Sequence, residues 1–195
     1  MRELSMHVLD MLQNAVEAGA TQVRLSVVED LQADRLTIEV GDNGRGMDAE
    51  TARQAQDPFF TTRTTRHVGL GLPLLAAAAE RCEGGLTLKS AVGQGTQVKA
   101  TFRRSHLDRV PLGNMTDTLV AFLLGAGDGL ETRYRHAVGG KAFDLDTAQI
   151  RAELEEVPLW HPQVRDWLRA YIAEGEAELV EGEAGGADLD TVGMN

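Results

Sequence analysis

The sequence predicts an α+β protein, and three observations carry that expectation. Near the N-terminus Leu4, Val8, Met11, Leu12, Ala15 and Val16 recur at helical spacing. Next, Val23, Leu25 and Val27, then Leu36, Ile38 and Val40, alternate with polar residues about a polar turn at 30–34, which reads as a half-buried hairpin. After a Leu- and Ala-rich helix over 76–81, Leu86 and Leu88, then Val98, Ala100 and Phe102, repeat the alternation. At 195 residues and 43% hydrophobic, the chain can hold one full domain and an appendage.

The totals narrow the function. A net charge of -11 argues against nucleic acid as the main partner and against an anionic membrane surface, since both call for surplus Lys and Arg. A single cysteine, Cys82, excludes an internal disulfide framework and a Cys-rich metal site. No run approaches the roughly 18 apolar residues of a membrane span. The opening Met-Arg-Glu-Leu-Ser-Met-His does not read as a signal peptide, so the expected location is the cytoplasm.

In the first helix Ser5 is the expected cap and Gly19 the expected stop. The stripe opposite the apolar one carries Asp10, Asn14 and Glu17, and Asp10 and Asn14, four apart, share a face. Asn is a poor mid-helix residue, because its side chain competes for backbone bonds. Its amide oxygen suits a hard cation, although a solvated helix face has the same look. After the second strand comes Asp42-Asn43-Gly44-Arg45-Gly46-Met47. A carboxylate at a strand end beside glycines accepts hydrogen bonds and repels phosphate, so Asp42 is suited to the amine edge of a base. The same letters also spell a hairpin turn. A helix is expected over 49–56, capped by Asp48.

Two further glycine stretches follow. Gly69-Leu70-Gly71-Leu72-Pro73 leads into a helix, the setting in which free N–H groups and the positive dipole end meet phosphate. Gly93-Gln94-Gly95-Thr96 lies between two strands and reads equally as a hairpin loop.

Together these stretches resemble the GHKL superfamily, which holds gyrase ATPase domains, heat-shock chaperones, histidine kinases and MutL repair proteins. Residues 9–20 are similar to its N-box, Asp42 to Gly46 to its G1 box, Asp57-Pro58-Phe59-Phe60-Thr61-Thr62-Arg63 to the F-box of sensor kinases, and Gly93 to Thr96 to its G3 box. The resemblance covers residues 5 to 102 and implies the Bergerat ATP-binding fold, a two-layer α/β sandwich. It implies that Asn14 ligates Mg2+, and that Asp10 stands where a base is often Glu. It implies that Asp42 binds the adenine amine, that Gly44, Gly46 and Met47 pack on the nucleotide, and that Thr96 contacts the adenine side. It implies that Gly69, Leu70, Gly71, Leu72 and the lid cradle phosphates, with Arg63 standing where Lys is common. His67 and Val68 replace a Gly and a Thr of the usual pattern, and Arg63 or Arg66 is the candidate compensating charge.

Three segments are expected: an ATP-binding domain over 1–104, an αββαα C-terminal module over 105–175, and an acidic, disordered tail over 176–195. In the second, an apolar helix over 114–124, strands flanking Gly139-Gly140, a short helix capped by Asp146 and a last helix from Pro162 are expected. The tail is called disordered because seven acids and no Lys or Arg follow position 173. His136 and His161 read as structural. His7 lacks the residues of a phosphoacceptor motif, so self-phosphorylation is not expected. The leading expectation is a Mg2+-dependent ATP-binding protein that hydrolyses ATP or phosphorylates a partner protein. The alternatives are a nucleotide-gated interaction module with little turnover, and a scaffold that has lost its ligand.

Overall fold

The computed structural model describes residues 3–55, 71–127 and 129–184. Its first element, α1 (Leu4–Glu17), buries Leu4, Val8, Met11, Leu12 and Ala15. Ser5 lies inside this helix rather than at its cap, which is Glu3. The Leu4 and Ser5 N–H groups donate instead to the carbonyls of Pro111 and Leu112, so a distant loop closes the helix end that a side chain was expected to close. At the other end Gly19 stops the helix at φ +73, with its N–H on the Val16 carbonyl and that of Ala20 on the Ala15 carbonyl.

Strands β1 (Gln22–Asp30) and β2 (Arg35–Asp42) form the expected hairpin. Helix α2 (Ala49–Gln54) is capped by Asp48, whose carboxylate accepts from the Thr51 N–H. Helix α3 (Gly71–Arg81) already includes Gly71, five residues before the start that the Ala-rich run suggested, and it accommodates Pro73. Strands β3 (Gly85–Ala91) and β4 (Gly95–Arg103) follow, then α4 (Met115–Gly125), β5 (Glu131–Val138), β6 (Lys141–Asp146), α5 (Thr147–Leu154) and α6 (Pro162–Ala184).

The six strands form one sheet in the order β3-β4-β2-β1-β5-β6. Every pairing is antiparallel except β1 with β5, which run parallel from Gln22 opposite Glu131 to Glu29 opposite Val138. Residues 105–175, set apart in the sequence as a C-terminal module, thus continue the sheet of the first half. Val23, Leu25, Val27, Leu36, Ile38, Val40, Val98, Ala100, Phe102, Tyr134 and Leu145 face the helices and are buried. Each buried Leu or Val contributes roughly 1.5–3 kcal/mol. Helix α4 packs on both α1 and α6.

The acidic end of the chain also differs from expectation. Helix α6 runs past position 176 to Ala184, and two groups on the sheet hold it. Glu176 accepts a hydrogen bond from the Tyr134 hydroxyl at 2.7 Å and pairs with His136 Nδ1 at 2.9 Å. His136 Nε2 lies 3.5 Å from Glu29, an ion pair rather than a well-formed hydrogen bond, and Glu29 pairs with Arg104 at 2.6 Å. Acid-rich composition suggested a solvated tail, but one of those acids is the partner of a buried imidazole.

Candidate functional site

The site residues fall on two clusters joined by α1. The first is built on the end of β2. Its register sets Asp42 opposite Thr96 of β4, and Thr96 opposite Ser90 of β3. Partners across strands point to one side of a sheet, so a carboxylate and two hydroxyls stand in a row on the helix-covered face. Asp42 Oδ1 accepts the Gly44 N–H at 2.8 Å. Ser90 Oγ accepts the Met47 N–H at 2.8 Å and lies 2.9 Å from both the Gly95 carbonyl and Thr96 Oγ1.

Glycines bring the loops together. Gly46 has φ +64, and a Cβ there would overlap the Ala91 carbonyl. Gly95 has φ +81, and a Cβ there would overlap the Asp42 carbonyl. Both need the left-handed region and the absence of a side chain. Gly44 packs on the end of α1, where an added Cβ would meet Ala18 Cβ at 2.8 Å. The Arg45 N–H donates to the Ala18 carbonyl at 2.9 Å.

Asn43 completes this junction. Its Oδ1 accepts the N–H groups of Thr21 and Gln22, each at 2.9 Å, and its Nδ2 donates to Thr21 Oγ1 at 2.9 Å. It ties the loop after β2 to the loop after α1. Neither Asn43 nor Ser90 was singled out in the sequence. An Asn in a turn and a Ser in a strand carry no signal until the chain crossings are known.

The second cluster joins α1 to the start of α3. A Cβ on Gly71 would lie 3.2 Å from Asp10 Oδ2, so the carboxylate rests on the backbone that opens the helix. Asn14 is half-buried one turn further along α1, towards the Ala18 junction, and Leu72 packs on the core from the first turn of α3. His7, one turn before Asp10, is buried, and its Nδ1 has no hydrogen-bond partner among the described residues. Burial pushes its pKa down from the ordinary imidazole value, against the opposing pull of the Asp10 charge. Arg63, Arg66, His67, Gly69 and Leu70, with the whole F-box stretch, lie outside the described residues.

The donor set fits a hydrated magnesium ion. Among the described residues no group of three or more His, Cys, Asp or Glu is arranged to hold a metal alone. Mg2+ is commonly held by one or two protein oxygens with phosphates and water completing the shell. Asn14 and Asp10 are oxygen donors of that kind on one helix face. An open trough of about 1080 Å3 is lined by Asp42, Ser90 and Thr96 together with Arg24, Lys89 and Arg135 from the other face of the sheet.

Residues 2–106 match the family described as histidine kinase-, DNA gyrase B- and HSP90-like ATPases. The chain belongs to this family. ATP binding is the property that membership in this ATPase family supports. Over 89 residues the chain is 44% identical to the sensor protein kinase FleS of Pseudomonas aeruginosa, covering 46% of this chain and 22% of that one. Over 176 residues it is 24% identical to the DNA mismatch repair protein MutL of Bacillus licheniformis, covering 83% of this chain and 26% of that one. The chain therefore spans about a fifth to a quarter of these curated relatives. A crystal structure of the N-terminal domain of a DNA repair protein superposes with a TM-score of 0.53 at 16% identity, over 75% of this chain and 53% of that one. The kinase match covers under half of the chain, whereas the MutL match and the structural likeness also reach into the second half. No helix among the described residues is long and apolar enough to cross a membrane.

Proposed function

We propose that this GHKL protein is a magnesium-dependent ATP-binding protein that hydrolyses ATP or phosphorylates a partner protein. The observation that carries the reading is the contact of Asp10 with Gly71. It sets a carboxylate at the N-terminus of α3, where free N–H groups and the helix dipole favour phosphate. Asp42 and Thr96 would hold the adenine, with Gly44, Gly46 and Met47 against it. Gly69, Leu70, Gly71, Leu72 and Arg63 would surround the phosphates, and Asn14 would hold Mg2+. When bound, Mg2+ supplies charge neutralisation on the phosphates; the rest is positioning by the chain. Asp10 is the candidate general base. Calorimetry with ATP and Mg2+, followed by a phosphate-release assay on the same sample, tests the proposal. Asp10→Asn should bind ATP and lose turnover. If wild-type protein, shown to be folded, bound no ATP, the reading would fail.

A second reading has its own support. The first turn of α1 is bonded to residues 111 and 112, and α4 packs on both α1 and α6. A nucleotide that reorganises α1 would thereby be felt in the second half, as in a nucleotide-gated interaction module. ATP-dependent protease protection of the 57–68 segment without phosphate release would favour this reading over the enzyme.

A further inference from the structure

We infer that Ser90 is a positioning residue that fixes the direction of the Thr96 hydroxyl and so lets the site tell 6-amino purines from 6-oxo purines. The inference rests on the adenine reading of Asp42 and Thr96 and goes beyond it, to a residue outside every motif in the chain.

The argument is an inventory of hydrogens. A serine hydroxyl has one hydrogen to give and two lone pairs to accept with. Ser90 Oγ has three neighbours: the Met47 N–H at 2.8 Å, the Gly95 carbonyl at 2.9 Å and Thr96 Oγ1 at 2.9 Å. The Met47 N–H can only donate, so it occupies one lone pair. The Gly95 carbonyl can only accept, so it takes the single hydrogen. Thr96 must then donate to the remaining lone pair. Any other arrangement turns two lone pairs on each other at 2.9 Å.

The result reaches the ligand. Thr96 spends its only hydrogen on Ser90, so its oxygen faces the site as an acceptor. One strand away, Asp42 Oδ1 is engaged by the Gly44 N–H, and the carboxylate has only acceptor capacity to offer. The row therefore presents acceptors and no side-chain donor. An exocyclic amine, with two N–H groups, suits it directly or through one water. A 6-oxo group would set oxygen against oxygen. Without Ser90 the Thr96 hydroxyl is free to turn and donate, and discrimination relaxes.

The test compares Mg-ATP with Mg-ITP, which carries oxygen in place of the 6-amine, by calorimetry on the full chain. The expected result is that Ser90→Ala lowers the ITP-to-ATP ratio of dissociation constants by about tenfold, the worth of one good hydrogen bond. Thr96→Val, which keeps the branched shape, should lower the ratio equally, and adding Ser90→Ala to it should change the ratio no further. If Ser90→Ala weakened both nucleotides by one factor, its role would be structural and the inference overturned. An unchanged ratio in Thr96→Val would overturn it too, even if Ser90→Ala failed to fold. Absence of ATP binding by wild-type protein would remove the adenine reading itself, a failure distinct from ATP binding with an unaltered ratio.

Discussion

Replacing Glu176 by Gln is expected to destabilise the protein in a way that depends on pH. Glu176 lies in α6 and reaches the sheet at Tyr134 and His136. Burial alone would lower the His136 pKa, but the hydrogen bond to Glu176, the nearby Glu29 carboxylate and the charges of both outweigh it and push the pKa up to about 9. The folded-state value thus lies above the unfolded 6.5. The imidazolium's contribution is complete below about pH 6.5, declines as pH rises, and is gone above about 9. A rise of this size corresponds to on the order of 3 kcal/mol. Glu29 behaves oppositely: its pairing with His136 first, and with Arg104 after it, holds its carboxyl at about 2 against the opposing effect of burial. Its contribution is present above about pH 4.5 and lost as pH falls towards 2. Both terms are complete between pH 4.5 and 6.5. Gln at 176 keeps the length and can accept the Tyr134 hydroxyl, but it removes the charge. Urea unfolding of wild type and Glu176→Gln at pH 6, 8 and 10, extrapolated linearly, measures the difference. A cost of about 2–3 kcal/mol at pH 6 should fall below about 1 kcal/mol at pH 10. Equal cost at both ends would refute the reasoning, because the pair would then be held by shape and not by charge.

Three further outcomes are expected. Asn14→Ala should abolish the difference between ATP affinities measured with Mg2+ and with EDTA, as read by calorimetry; a difference of wild-type size would remove Asn14 from the metal. Gly46→Ala forces a Cβ onto the Ala91 carbonyl at a left-handed φ, with a strain of roughly 1–2 kcal/mol before the clash is counted. ATP binding should be lost while far-UV circular dichroism stays wild-type, and retained affinity would show that the loop does not touch the nucleotide. Asn43→Ala removes three hydrogen bonds at an exposed junction, so a loss of about 1–2 kcal/mol in urea unfolding is expected; no loss would mean that water replaces the side chain fully.

What the sequence made legible was local. Alternation at Leu36, Ile38 and Val40 is enough to end a strand at Asp42, and Pro162 is enough to open a helix, because both signals sit within a few residues of their effect. The pairing of β1 with β5 was not legible. Val23 to Val27 alternates in the same way whether its second neighbour is β5 or solvent, and the partner lies more than a hundred residues away. Ser5 illustrates the same limit: it looks like a cap, but the carbonyls of residues 111 and 112 reached that helix end first. Glu176 was assigned to a solvated tail because its neighbours are acidic, and only the placement of His136 gives one acid of that run a buried partner.

The site divides along the same line. Asp42 is legible as the end of a strand, and Gly46 and Gly95 as places where two backbones meet, because those signals are local. Ser90 is not, because the effect inferred for it passes through a hydrogen whose direction is settled by three neighbours, one from a loop and two from the adjacent strand. Motif reading finds the groups that would touch a nucleotide. Which way those groups donate or accept is decided one layer behind them, by residues with no spacing rule of their own.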